Sequence, residues 1–205
     1  MDVRWRHPFT CVIAGPSGSG KSTFVENLIL NAAEMIIPLF SKIYWCYGAW
    51  QSGYEKWKGR VHFMEGLPDD EGAFTPDSLV IIDDLMHETN EVVSKLFTKG
   101  SHHGKISVIY IVQNVFGKSK PMRTISLNAK YLILFKNPRD ASQVTHLSRQ
   151  MYPGRSLFFQ EAFRRATSKP YGYLLCDLNQ DTPELLRLRT RIFPEEKPQV
   201  VYVPK

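Results

Sequence analysis

Residues 14–23 read AGPSGSGKST and follow directly on the apolar run Phe9-Thr10-Cys11-Val12-Ile13. That run predicts a strand over 9–13, and the Lys-Ser that closes the stretch opens a helical pattern over 21–33. Between them, Gly15-Pro16-Ser17-Gly18-Ser19-Gly20-Lys21-Ser22 satisfies G-x-x-x-x-G-K-[ST] at every fixed position, with Thr23 next in line. Glycines at such spacing let successive backbone N–H groups converge on one point, and the helix start adds its positive end. This is a cradle for phosphate oxygens. Lys21 is expected to reach the β- and γ-phosphates and the Ser22 hydroxyl to ligate Mg²⁺, which makes ATP and Mg²⁺ the expected cofactors.

Working outward, short apolar runs over 42–47, 79–82, 106–112, 131–135 and 171–176 predict further strands. Several lack alternation, as strands covered on both faces do. Helical patterns lie over 21–33, 88–101, 139–151 and 157–167, while 85–90 and 118–123 read as loops at strand ends. The alternation predicts an α/β fold with a mainly parallel central sheet flanked by helices.

Two of these strands end in chemistry. Ser78–Leu85, SLVIIDDL, closes on adjacent carboxylates, and strand neighbours point to opposite faces, so the two aspartates have different tasks. Asp83 is assigned to the Mg²⁺ side and Asp84 to the group that orients the attacking water. An acid in that second place favours water as the phosphoryl acceptor over a small-molecule substrate. ISVIYIVQN, residues 106–114, ends in amides. Gln113 can donate to a γ-phosphate oxygen and accept from the water, the two functions of a triphosphate sensor. Asn114 is a weaker candidate.

The 205 residues suit one substantial domain, and 43% hydrophobic content suffices for a core. Twenty-six Lys and Arg against 20 Asp and Glu leave a formal +6, which permits a polyanionic partner. Cys11, Cys46 and Cys176 all lie in apolar runs without metal or redox spacing, so they read as core residues of a protein in a reducing, intracellular setting. No signal peptide is visible, and the most apolar stretch, 24–40, is interrupted by Glu26, Asn27, Asn31 and Glu34, so no membrane span is expected. His102-His103 lack further ligands at metal spacing and read as a helix-end cap.

GPSGSGKST, LVIIDDL, SHHGKISVIYIVQN and MRTISLNAKYLILFKNPRD together resemble the additional-strand P-loop ATPases over roughly residues 9–140. Within these the chain is similar to the FtsK–HerA superfamily, and most to its viral DNA-packaging branch, which serves poxviruses, other large DNA viruses, virophages and Maverick/Polinton-type elements. The resemblance implies a single RecA-like domain, expected over 1–193; the last stretch, with its prolines and no helical pattern, is expected to be an extended arm over 194–205. It implies a ring of five or six copies that moves double-stranded DNA into a preformed capsid, with the viral capsid or a portal vertex as partner and no membrane partner. ATP would then lie between subunits and meet an arginine from the neighbour. Arg123 fits that place best and Arg139 second.

Basic residues outside the motifs admit several uses. In LLRLRTRIF, an extended backbone puts Arg187, Arg189 and Arg191 on one face, toward a polyanion, a neighbour or solvent. Gly117-Lys118-Ser119-Lys120 is the first candidate for a loop gripping backbone phosphate; Arg164, Arg165 and Lys169 add scattered charge. A nucleoside or nucleotide kinase and a nucleotide-dependent switch are the alternative readings.

Overall fold

A computed structural model describes residues 2–83, 85, 91–100, 104–115 and 120–204, with backbone alone at 71, 120 and 121. Its centre is a nine-stranded sheet. In chain order the strands among the described residues are β1 (Trp5–Arg6), β2 (Thr10–Ala14), β3 (Ile36–Ile37), β4 (Lys42–Tyr47), β5 (His62–Glu65), β6 (Ser78–Asp83), β7 (Ile106–Val112), β8 (Tyr131–Phe135), β9 (Tyr173–Asp177), β10 (Leu188–Thr190) and β11 (Val200–Tyr202). The main sheet runs β11-β10-β9-β8-β2-β7-β6-β4-β5, while β1 and β3 form a separate two-stranded pair. From β8 to β5 every pairing is parallel; β9, β10 and β11 add antiparallel strands at one edge.

The order matters for function. β7 lies between the strand that leads into the glycine loop, β2, and the strand that ends in Asp83, β6. An inserted strand at this position is what the additional-strand resemblance implies. All three are buried at every position, which explains their unbroken apolar character. Successive residues serve opposite layers. Val12, Val80, Ile82, Val108 and Tyr110 pack against the layer of α3 (Glu91–Lys95), α4 (Lys120–Leu127), α5 (Ser142–Met151) and α6 (Ser156–Ala166). Cys11, Ile13, Leu79, Ile81 and Ile109 face α1 (Lys21–Leu30), α2 (Ala32–Met35) and the aromatic cluster of Trp45, Tyr54 and Trp57. The three cysteines are buried and form no disulfide, as small core residues should.

Several expectations need correction. The segment 118–123, expected as a loop, contributes to helix α4, Lys120–Leu127. Pro121 falls in its first turn, where the missing N–H has no intrahelical partner to lose. Met122 and Ile125 then supply its buried stripe. The helix expected over 21–33 breaks at Asn31, whose Nδ2 donates to the Asn27 carbonyl at 3.0 Å, and α2 follows as a separate turn. The pattern over 88–101 is described as α3 and a π-helical turn, Leu96–Gly100. Residue 171 belongs to a turn, and β9 starts at Tyr173.

The arginine row does not form one outer face: Arg191 is exposed, Arg187 half-buried and Arg189 buried. Arg189 is 2% exposed and donates from Nη2 to Asp177 Oδ2 at 2.7 Å. Arg187 ties Glu184 to the carbonyls of Asp177 and Asn179. Three-residue β10 is buried at every position because β9 and β11 flank it. In the final segment, Phe193 packs on Phe24 and Tyr173, and β11 closes the sheet edge. Among the described residues no helix is long and apolar enough to cross a membrane, and no group of three or more His, Cys, Asp or Glu side chains is placed to hold a metal ion. His102 and His103 lie outside the described residues.

Candidate nucleotide site

The site forms at the carboxyl ends of the parallel strands, where open α/β sheets place their crevice. Register aligns those ends. Ala14 pairs with Val112 and Leu134, while Asp83 pairs with Ile111 and Tyr47. The glycine loop therefore rises level with the end of the Asp83 strand, one strand away across β7.

Within the loop, the Gly15 amide donates to Val112 O at 3.2 Å, and Ser19 N donates to Pro16 O at 3.2 Å. A β-carbon on Gly15 would lie 2.6 Å from Phe135 Cβ, so the loop can hug β8 there only without a side chain. Gly20 stands at φ 101°, ψ 14° and passes the chain into α1, where Phe24 N donates to Gly20 O at 2.9 Å. Lys21 Nζ donates to the carbonyls of Gly15 and Pro16 at 2.8 and 3.0 Å. Its ammonium thus lies over the loop, where incoming phosphate oxygens could replace the two carbonyls as partners.

Across the loop mouth, Ser22 Oγ lies 3.4 Å from Asp83 Oδ2. Asp83 shares a face of β6 with Leu79 and Ile81, the α1 side, which is why its carboxylate meets Ser22 and not the opposite layer. Asp83 is 4% exposed and accepts a second hydrogen bond, from Tyr54 OH at 2.9 Å. Burial, then the Asp83 charge, raises the Tyr54 pKa above its usual value, so the hydroxyl stays a donor. A hydroxyl and a carboxylate oxygen converging here are hard oxygen donors of the kind Mg²⁺ takes. Ser22 and Asp83 would hold it, and when bound it would neutralise charge on the phosphate oxygens.

Gln113 follows β7 directly and is exposed beside Gly15 at the mouth of a small cleft that also involves Asn137 and Asp140. Asn114 has a structural part. Its Nδ2 donates to Asp140 Oδ2 at 3.1 Å, to which Gln143 Nε2 also donates at 3.0 Å. Gln143 in turn accepts from Val115 N at 3.1 Å. This lock ties the end of β7 to the start of α5. The donors, Ser142 first and then Gln143, lower the Asp140 pKa.

Arg123 lies exposed on α4, and Arg139 is exposed in the loop before α5, its amide donating to Asn137 Oδ1 at 3.1 Å. Neither forms a side-chain contact with the loop among the described residues. Asp84, assigned to water activation, and 117–119 of the expected phosphate-gripping loop lie outside the described residues, as does the side chain of Lys120. Two further residues have no motif behind them: Tyr54, from the 3₁₀ turn Ser52–Trp57, and Glu26 of α1, which receives Trp57 Nε1 and Lys56 and pins that turn to the helix.

The sheet order and the loop define a P-loop NTPase fold of the additional-strand type. No family model matches the chain. In its solved structures the genome packaging NTPase B204 of Sulfolobus turreted icosahedral virus 2 shares this fold. Its sulfate complex aligns with a TM-score of 0.59 at 14% identity, covering 96% of this chain and 97% of that one. Its ATP-γS complex aligns at 0.53 and 16% identity, covering 97% and 98%. The chain is also 22% identical over 203 residues to the DNA mismatch repair protein MutS of Macrococcus caseolyticus, covering 92% of this chain and 22% of that protein. The fold is the one that the FtsK–HerA resemblance implies.

Proposed function

We propose that this chain is an ATPase of FtsK–HerA type that drives double-stranded DNA into the preformed capsid of a virus or virus-like element. The observation that carries this reading is the end-to-end agreement in fold with a genome packaging NTPase, 96% of one chain on 97% of the other. A kinase of small molecules would require an acceptor pocket and lid of its own.

In this reading the backbone amides of 15–23 and Lys21 bind the triphosphate. Ser22 and Asp83 hold Mg²⁺, Asp84 orients the water, and Gln113 senses the γ-phosphate. The copies form a ring of five or six inside the host cell, at the portal vertex. Exposed Arg123, with Arg139 as the second choice, completes a neighbour's site. The loop 117–120 supplies sequence-independent phosphate contacts, which suit a motor that must pass over any sequence.

The test separates binding from turnover. Lys21→Ala should abolish tight ATP binding by calorimetry. Asp84→Asn should keep binding and stop phosphate release. Retained affinity in the first variant would remove the phosphate-loop assignment; unimpaired turnover in the second would remove Asp84 from the water.

A further inference from the structure

The turn that precedes β9 breaks a conformational rule beside the glycine loop. Gly172 N donates to Lys169 O at 3.1 Å, closing a four-residue turn with Pro170 second and Tyr171 third. Tyr171 has φ 60°, the left-handed region. A turn with proline second and left-handed backbone third ordinarily takes glycine or asparagine there, because a β-carbon costs energy. This chain places a tyrosine at that point and leaves the residue 72% exposed. The turn is held from below. A β-carbon on Gly172 would lie 2.5 Å from Ala166 O, so the backbone sits tightly on the end of α6.

What the ring stands beside gives the strain a use. A β-carbon on Gly20 would lie 3.3 Å from Tyr171 Cδ1 and 3.5 Å from its Cβ, with Phe135 Cε1 at 3.6 Å. Tyr171 therefore adjoins the last glycine of the loop, at the start of α1. Strand order sets the direction. Asp83 and Gln113 end strands β6 and β7 on one side of β2, whereas β8 and β9 lie on the other. The γ-phosphate end of a nucleotide belongs with Asp83 and Gln113, so the nucleoside must leave toward β8 and β9.

We infer that Tyr171 is the platform on which the base of the bound nucleotide stacks, and that its flat face favours a purine. The inference rests on the phosphate-loop reading, which supplies the other end of the ligand. A strained backbone with an exposed aromatic ring is a poor core device, but it fixes a stacking surface before the ligand arrives. The hydroxyl has no part in stacking, so the ring alone carries the effect.

The experiment measures binding of ATP, CTP and inorganic tripolyphosphate by calorimetry to the full chain and to Tyr171→Ala, Tyr171→Phe and Tyr171→Gly. Wild type should bind tripolyphosphate and should prefer ATP to CTP. Tyr171→Ala should lose ATP affinity on the order of 10-fold, the scale of base–aromatic stacking, with tripolyphosphate unchanged. Tyr171→Phe should bind ATP as wild type does. Tyr171→Gly, which relieves the backbone, should melt no lower than wild type and still bind ATP weakly, separating folding from stacking. Equal ATP affinity in wild type and Tyr171→Ala would overturn the inference while leaving the loop intact. Parallel loss of ATP and tripolyphosphate would make Tyr171 a prop of the loop and overturn it too. A wild type that binds no tripolyphosphate removes the phosphate-loop reading, and the base platform with it.

Discussion

Tyr54 donates to the same oxygen of Asp83 that faces Ser22, so one side chain outside every motif helps to orient the carboxylate proposed to hold Mg²⁺. A hydrogen bond to a charged group contributes about 1.5–3 kcal/mol. Tyr54→Phe keeps the ring, which packs on Trp45 and Phe63, and removes only that bond. The variant should fold normally, need more Mg²⁺ for half-maximal ATP hydrolysis, and lose on the order of 10-fold in kcat/KM. An unaltered Mg²⁺ titration would show that Asp83 needs no such support. Residue by residue, legibility followed distance along the chain. The meeting of Lys21 with the glycine loop was legible because both lie within one short motif, and the place of Asp83 because it closes an unbroken apolar strand. Tyr54 meets Asp83 across 29 positions, and nothing local marks it. Arg189 misleads for the same reason: Asp177, whose pairing takes it into the interior, lies on another strand.

At the scale of elements, the parallel strands were legible because burial on both faces leaves unbroken apolar runs. Two- and three-residue strands such as β1, β3 and β10 carry too few residues for a period to register. Helix α4 was obscured by a proline, which the first turn tolerates. Connections between elements give a pH prediction. His7, between β1 and β2, is buried with Nδ1 2.6 Å from Ser107 Oγ of β7, and Nε2 lies 4.0 Å from Asp77 Oδ1. Burial lowers its pKa, outweighing the Asp77 charge, which raises it. The unfolded histidine takes up its proton near pH 6.5, whereas the folded one resists. Its stability contribution is thus complete above about pH 6.5 and lost as pH falls toward the lowered folded value. Urea midpoints should fall from pH 7.5 to 5.5, and His7→Asn, which can keep a partner for Ser107, should flatten that fall. Identical slopes would place the titration elsewhere.

At the scale of the molecule, the sheet order and the end-to-end likeness to a packaging NTPase give the fold; the proposal built on it is that ATP hydrolysis at the ends of β2, β6 and β7 moves DNA. Subunit cooperation has its own test. Arg123→Ala and Asp84→Asn copies, each inactive alone, should regain part of the ATPase rate when mixed, because a neighbour's arginine then serves an intact site. No recovery at any ratio would leave Arg123 without a role across an interface. The central claim is tested most directly by steady-state ATP hydrolysis with and without long duplex DNA, on assembled protein of known size. The account predicts a several-fold rise in rate with DNA of any sequence, weakened by added salt as phosphate contacts are screened. A rate indifferent to DNA, on assembled and nucleotide-competent protein, would contradict it.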